Sequence, residues 1–324
     1  MSITKLPLVA LMESIHPMGI ELLMKHCELE HMPSAENDEY EKILGKADAV
    51  IIRSTLFTEE MMKKAPNLKV IGRHGAGTDN IDLTAAKNLG IKVVTTPQAN
   101  TASVAEYVIT VALMLLKRIP EVSTSLRQGA FFSNAGSLPG QVDRASLTGR
   151  EANGTRLGLI GAGAIGAAVA RLANHLGMHV AAYDPYLDKT KERPFELVDD
   201  LDELLSRSDI VSLHVPGGPD SHHLIGRREL EMMPPGAILI NAARGELVDQ
   251  EALISVLESG HLAGAAIDVY ATEPPDPNSR LFCAPNLILT PHMAAMTEEA
   301  LQRMATQVTT QVIQELGQMQ SMPR

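Results

Sequence analysis

The segment Leu157-Gly158-Leu159-Ile160-Gly161-Ala162-Gly163-Ala164-Ile165-Gly166 decides the fold. A short apolar run enters a glycine cluster, and a helical pattern leaves it near Ala164. In a strand–turn–helix passage of this kind Gly161 permits the tight turn and Gly163 lets the backbone approach a pyrophosphate. Gly166 allows close helix–strand packing, and the helix N-terminus supplies N–H groups and the positive end of its dipole. Asp184 ends the next apolar run, His179–Tyr183, about twenty residues on, where an acid would bond a ribose 2′-hydroxyl. A lone glycine triplet is only a tight turn. With strand, helix, second strand and terminal acid in register, it reads as a dinucleotide clamp. Asp184 would repel a 2′-phosphate, which favours NAD, while Lys189, Lys191 and Arg193 keep NADP open.

Outward from this segment the chain alternates strand-like and helical stretches. Leu157–Ile160, His179–Tyr183, Ile210–His214, Ala237–Ile240, Ala265–Val269 and Leu287–Leu289 read as strands. Asp249 to Ser259 reads as a helix with Asp249 as N-cap and Gly260 just past its end. Towards the N-terminus Leu8–Met12, Ala49–Ile52, Lys69–Ile71 and Lys92–Thr95 read as buried strands, with helices over Met18–Lys25, Glu59–Ala65 and Leu83–Leu89. Such alternation implies an α/β protein with parallel sheets and crossover helices. Ser103 to Leu116 is apolar on nearly every side, so that helix must be covered all round, by core, a second domain or another subunit. From Gln128 to Gly154 the pattern fails, and the stretch reads as a long loop. The last helix, about Thr297 to Leu316, has no strand after it and is expected to pack back on the first domain.

With 324 residues and 45% hydrophobic content, there is apolar material for two cores. A net charge of −11 argues against a nucleic-acid surface, which needs clustered Lys and Arg. The two cysteines, Cys27 and Cys283, suggest a reducing compartment rather than a disulfide framework. His26, Cys27 and His31 lack the spacing of a metal site, so no metal is expected. The short run Leu6 to Met12 lacks a basic flank and a cleavage site, so no signal peptide is expected. Val104 to Leu116 is too short to span a bilayer. The expectation is a cytoplasmic protein with a small-molecule substrate, no nucleic acid and no membrane.

Three polar residues follow strands of the second region. Arg244, in Asn241-Ala-Ala-Arg244-Gly245, follows Ala237–Ile240. Glu273, in Thr272-Glu-Pro-Pro275, follows Ala265–Val269. His292, in Thr290-Pro-His-Met293, follows Leu287–Leu289. Ligands of open parallel sheets bind beyond the carboxyl ends of strands. A guanidinium there can grip a carboxylate bidentately and polarise an adjacent carbonyl. An imidazole beside a carboxylate has its ring fixed and its cationic form stabilised, as an acid/base needs. Each residue alone would be an ordinary polar loop residue. Together, on a dinucleotide fold, they form a catalytic constellation.

Several segments resemble the D-isomer-specific 2-hydroxyacid dehydrogenase family, most closely its phosphoglycerate/hydroxypyruvate (glycerate) dehydrogenase branch. They are Gly72-Arg-His-Gly-Ala-Gly-Thr-Asp-Asn-Ile-Asp82, Ser103-Val-Ala-Glu106, the Gly161 loop, Asn241-Ala-Ala-Arg244-Gly245, Asp268-Val-Tyr-Ala-Thr-Glu273-Pro and Pro291-His292. The resemblance implies two doubly wound parallel-sheet domains. A Rossmann NAD domain (101–292) is inserted into a flavodoxin-like substrate domain (1–100 and 293–324), with hinges near 100 and 292. It implies that Arg244 binds the substrate carboxylate, Glu273 orients His292 and His292 is the acid/base. Ala164, Ile165, Asp184, Val215, Pro216, Ala242, Asp268 and Ala294 would line the NAD site. Gly75, Ala76 and Gly77 would offer backbone N–H groups to the substrate carboxylate, and Arg53-Ser54 is similar to an Arg-Ser pair placed near substrate. His74 is counted with these contacts, although many relatives carry a small or apolar residue there. The helix from Ser103 would help form a homodimer. The chain stops soon after Leu316, so a C-terminal regulatory domain and serine feedback through it are not expected. The activity implied is NAD-dependent interconversion of a small D-2-hydroxy acid and its 2-keto acid, with 3-phosphoglycerate or glycerate/hydroxypyruvate favoured. A co-repressor-like, NAD(H)-sensing dimer is the alternative.

Overall fold

Parallel strands covered on both faces read as unbroken apolar runs. Such runs build both sheets of the computed structural model, which describes residues 6–33, 38–131, 136–188, 190 and 192–321. The chain forms two compact units, Met1–Asn100 with Ala295–Arg324, and Thr101–Ala294.

The first unit begins β1 (Leu8–Leu11), α1 (Pro17–Met24), β2 (Glu28–His31), α2 (Asp38–Leu44) and β3 (Ala49–Ile52). It continues α3 (Glu59–Lys63), β4 (Val70–Arg73), α4 (Leu83–Asn88) and β5 (Lys92–Val94). Its parallel sheet has the order β2-β1-β3-β4-β5, a flavodoxin-like winding. Every residue of β1 and β3 is buried. Edge strand β2, Glu-Leu-Glu-His, is mostly exposed and carries no apolar signature, which is why sequence periodicity passes over it.

The second unit starts with α5 (Thr101–Leu116), α6 (Ile119–Arg127) and α7 (Leu138–Arg144). The Rossmann core follows as β6 (Arg156–Ile160), α8 (Ala164–His175), β7 (His179–Tyr183), β8 (Glu196–Val198), α9 (Leu201–Arg207) and β9 (Ile210–Leu213). It ends with α10 (Arg227–Met232), β10 (Ile238–Asn241), α11 (Gln250–Glu258), β11 (Gly264–Ile267) and β12 (Leu287–Leu289). The seven strands run in the order β12-β11-β10-β9-β6-β7-β8, all parallel. The order reverses direction at β6 and β9, and that switch point is where such sheets take ligands. The Asp249 carboxylate caps α11 by accepting from Ala252 N at 3.0 Å, and Gly260 follows with φ +73°. Both are boundary signals legible in the sequence.

A final helix, α12 (Glu298–Ser321), returns to the first unit. Val308, Val312 and Leu316 recur at helical spacing and pack with Leu11, Ile51 and Val70. Val308 and Val312 are fully buried, each contributing about 1.5–3 kcal/mol relative to exposure.

One expectation needs correction. The stretch 128–154 is not one loop. Leu138–Arg144 is a helix begun by a proline at its first turn, too short and too polar for periodicity to reveal, while 132–135 lie outside the described residues. Within this chain α5 is buried on one side and leaves the other exposed. Ala102, Glu106 and Thr110, four residues apart, form an exposed stripe opposite the buried Val104, Val108 and Val111. Among the described residues, no helix is long and apolar enough to cross a membrane.

Candidate active site

The glycine loop joins β6 to α8 beneath the end of β9. Gly161 has φ +86°, and a Cβ there would sit 2.7 Å from the His214 carbonyl oxygen. A side chain is therefore excluded by conformation and by space. At Gly166 a Cβ would meet the Gly161 carbonyl oxygen at 2.5 Å, which accounts for the third glycine. Gly163 opens α8 with no side-chain cap, and open space stands where its Cβ would be. An uncapped twelve-residue helix with open space beside its N-cap glycine can serve as a cradle for a pyrophosphate. Ala164 is exposed and Ile165 half-buried beside it. Asp184, just past β7, accepts from Ala162 N at 2.9 Å and Tyr186 N at 3.0 Å, so it also holds the glycine loop in place. Val215, Pro216 and Ala242 follow β9 and β10 at the same sheet edge. Of the residues that kept NADP open, Lys189 and Lys191 lie outside the described residues. Arg193 donates to the Asp188 carbonyl oxygen at 2.9 Å.

Arg244, Glu273 and His292 follow three adjacent strands, β10, β11 and β12, at their carboxyl ends. His292 Nδ1 and Glu273 Oε2 are 2.8 Å apart, with both side chains partly exposed, at 54% and 40%. A carboxylate can only accept, so the hydrogen bond places the proton on Nδ1 and leaves Nε2 as the atom that exchanges protons with a ligand. Glu273 is itself steadied by Tyr270 N, which donates to Oε1 at 3.1 Å. The Tyr270 hydroxyl donates to the Thr290 carbonyl oxygen at 3.0 Å, tying the two loops together. Arg244 donates from Nη1 to the Ala243 carbonyl oxygen at 2.7 Å. Its neighbour Gly245 lies so close to the Tyr270 backbone that a Cβ would be 1.9 Å from the Tyr270 carbonyl carbon. The arginine segment is thus pressed against the segment that carries Glu273.

Asp268 has a role that sequence reading did not assign. Fully buried, its carboxylate accepts from Thr290 Oγ1 at 2.6 Å, Met293 N at 2.7 Å and Ala294 N at 2.8 Å. Its carbonyl oxygen takes His292 N at 2.7 Å. These bonds hold His292 at φ +53°, a left-handed conformation that costs a non-glycine residue and persists only when its surroundings impose it. Asp268→Asn would set an amide N–H₂ against one of these donors. We expect a stability loss of about 1–3 kcal/mol in thermal unfolding.

In the first unit, Arg53 and Ser54 follow β3, and His74 to Gly77 follow β4. Gly75 is buried with φ +150°, Ala76 is exposed and Gly77 is half-buried. His74 is 2% exposed, so its ring is buried. Burial, and then the charges of Arg53 and Arg73, push its pKa down to about 4. Burial also pushes His214 down to about 4; its Nε2 pairs with Ser212 Oγ at 3.0 Å. Both rings are therefore neutral in the fold and take a proton near pH 6.5 only when unfolded. Their contribution is complete above about pH 6.5 and is lost as pH falls towards 4. We expect the melting temperature to decline across that window with up to about two protons linked. His74→Leu should remove one of them, and a flat profile would contradict the assignment.

A Rossmann sheet with a glycine cradle at its switch point, and a His–Glu pair beyond its strand ends, is the arrangement of a dinucleotide-binding domain with a candidate acid/base pair at its ligand edge. Residues 109–294 match the family model "D-isomer specific 2-hydroxyacid dehydrogenase, NAD binding domain". The chain is 39% identical over 303 residues to a D-3-phosphoglycerate dehydrogenase of Methanocaldococcus jannaschii, covering 93% of this chain and 56% of that protein. It is 39% identical over 301 residues to a hydroxypyruvate reductase of Thermotoga maritima, covering 92% and 94%. The crystal structure of the TT0316 protein from Thermus thermophilus superposes with a TM-score of 0.85 at 33% identity, covering 96% and 97% of the two chains. The chain belongs to the D-isomer specific 2-hydroxyacid dehydrogenase family. It spans about half the length of the D-3-phosphoglycerate dehydrogenases it matches.

Proposed function

We propose that the protein is an NAD-dependent dehydrogenase that interconverts a small D-2-hydroxy acid and its 2-keto acid. The observation that carries this reading is the 2.8 Å contact between His292 Nδ1 and Glu273 Oε2 beyond the end of an NAD-binding sheet. In oxidation His292 Nε2 takes the substrate hydroxyl proton, and in reduction it returns that proton to the oxygen on C2. Glu273 keeps the ring in the tautomer that leaves Nε2 available and balances the imidazolium when it forms. Arg244 grips the substrate carboxylate and so presents C2 in one orientation. The bound nicotinamide supplies the two-electron redox partner. Gly161, Gly163, Ala164, Ile165 and Gly166 cradle its pyrophosphate. Asp184 takes the ribose, and Val215, Pro216, Ala242, Asp268 and Ala294 lie along the cofactor, Asp268 through the loop it clamps.

The first unit is proposed as the substrate domain, with Arg53, Ser54, Gly75, Ala76 and Gly77 as contacts and His74 supporting them from behind. Hydroxypyruvate/glycerate and 3-phosphoglycerate are the favoured acids. A homodimer is proposed from the apolar side chains exposed on α6 and α7, Ile119, Leu126 and Leu138. The proposed compartment is the cytoplasm, where Cys27 and the exposed Cys283 would stay reduced. A purely NAD(H)-sensing role would leave the His–Glu pair without a task, so the enzymatic reading is preferred. The test is a panel of hydroxypyruvate, its 3-phosphate, glyoxylate and pyruvate with NADH and NADPH, followed by loss of reduced-nicotinamide absorbance. Turnover of at least one acid with NADH is expected. NADH binding without turnover of any of them would reject the proposal.

A further inference from the structure

Glu13 lies two residues beyond the end of β1, next to the loop that follows the neighbouring strand β3. Its Oε2 accepts from Arg53 N at 2.8 Å. Its Oε1 accepts from Ser54 N at 2.6 Å, Ser54 Oγ at 2.8 Å and Thr55 N at 2.6 Å. One carboxylate thus gathers three consecutive backbone amides and a hydroxyl. Burial by itself would raise the Glu13 carboxyl, but the four hydrogen bonds outweigh it and hold the group below the ordinary carboxylate range. The far side of the same loop is braced by Asn80. Its Nδ2 donates to the Thr55 carbonyl oxygen at 2.8 Å, and its Oδ1 accepts from Arg73 Nε at 3.1 Å.

We propose that Glu13 is a positioning residue for substrate binding, fixing the backbone of the Arg53–Thr55 loop and hence the direction in which Arg53 and Ser54 are presented. The inference rests on the reading that this loop contacts the 2-keto acid. All four groups facing Glu13 are donors, so an acceptor-only side chain is required. Glutamine brings two donors into the nest and must leave at least one amide opposed.

The experiment compares Glu13→Gln, Arg53→Ala and the double variant. Hydroxypyruvate is titrated at saturating NADH, NADH affinity is read by fluorescence, and hydrogen exchange is followed over residues 52–57. We expect Glu13→Gln to raise KM about tenfold or more, with kcat and NADH affinity near wild type. Exchange should accelerate at Arg53, Ser54 and Thr55 and little elsewhere. The double variant should raise KM by less than the product of the two single effects, because Glu13 acts through Arg53. A raised KM in Arg53→Ala with an unchanged KM in Glu13→Gln would overturn the positioning role alone. An unchanged KM in Arg53→Ala would remove the loop from the substrate site, and the inference with it. Loop amides unprotected in the wild type would overturn it whatever the kinetics.

Discussion

Replacing His292 by asparagine is expected to lower kcat for keto-acid reduction by about 10²–10⁴-fold, the usual contribution of a positioned acid/base, while NADH affinity stays near wild type. Asparagine suits the test because it tolerates the left-handed backbone conformation that position 292 requires. It also lets Met293 N and Ala294 N remain on Asp268. The variant therefore removes the proton carrier without dismantling the loop. Steady-state kinetics with hydroxypyruvate and a fluorescence titration with NADH separate the two effects. A kcat within a few-fold of wild type would mean that some group other than Nε2 moves the proton.

Arg244→Gln is expected to have an effect of similar size, a loss of about 10²–10⁴-fold in kcat/KM, most of it in KM. Two hydrogen bonds from a guanidinium to a carboxylate are each worth about 1.5–3 kcal/mol, and a tenfold change in rate corresponds to about 1.4 kcal/mol. Arg244→Lys keeps the charge but not the planar fork, so it should recover only part of the loss. Because Arg244 Nη1 also bonds the Ala243 carbonyl oxygen, the NADH titration is the control for local distortion. Equal losses in NADH affinity and kcat/KM would assign the arginine a structural role instead.

Much of this architecture is legible in sequence where one physical requirement dominates. The apolar strands β1, β3, β9, β10 and β11 announce themselves because every residue in them is buried, and Asp249 and Gly260 punctuate α11 by cap chemistry. The glycine cradle is legible because its first and third glycines are excluded from carrying a Cβ by space or by φ. Parallel strand order then brings Glu273 and His292, nineteen residues apart in the chain, to a 2.8 Å contact. The rest depends on tertiary partners. Edge strands β2 and β8 and the short helix α7 have little apolar periodicity to read. The Asp268 clamp and the Glu13 nest are invisible because their partners are mostly backbone N–H groups, which every residue but proline carries. His74 is counted among substrate contacts by resemblance, and its burial, on a sheet to whose β4 the helix α12 returns, is not legible from its neighbours in the chain.

With the carboxylate held by Arg244 and the C2 oxygen protonated by His292, one face of C2 is presented and reduction is stereospecific. Its most direct measurement is the configuration of glycerate formed from hydroxypyruvate and NADH. D-glycerate alone is expected. L-glycerate, or a racemic product, would contradict it.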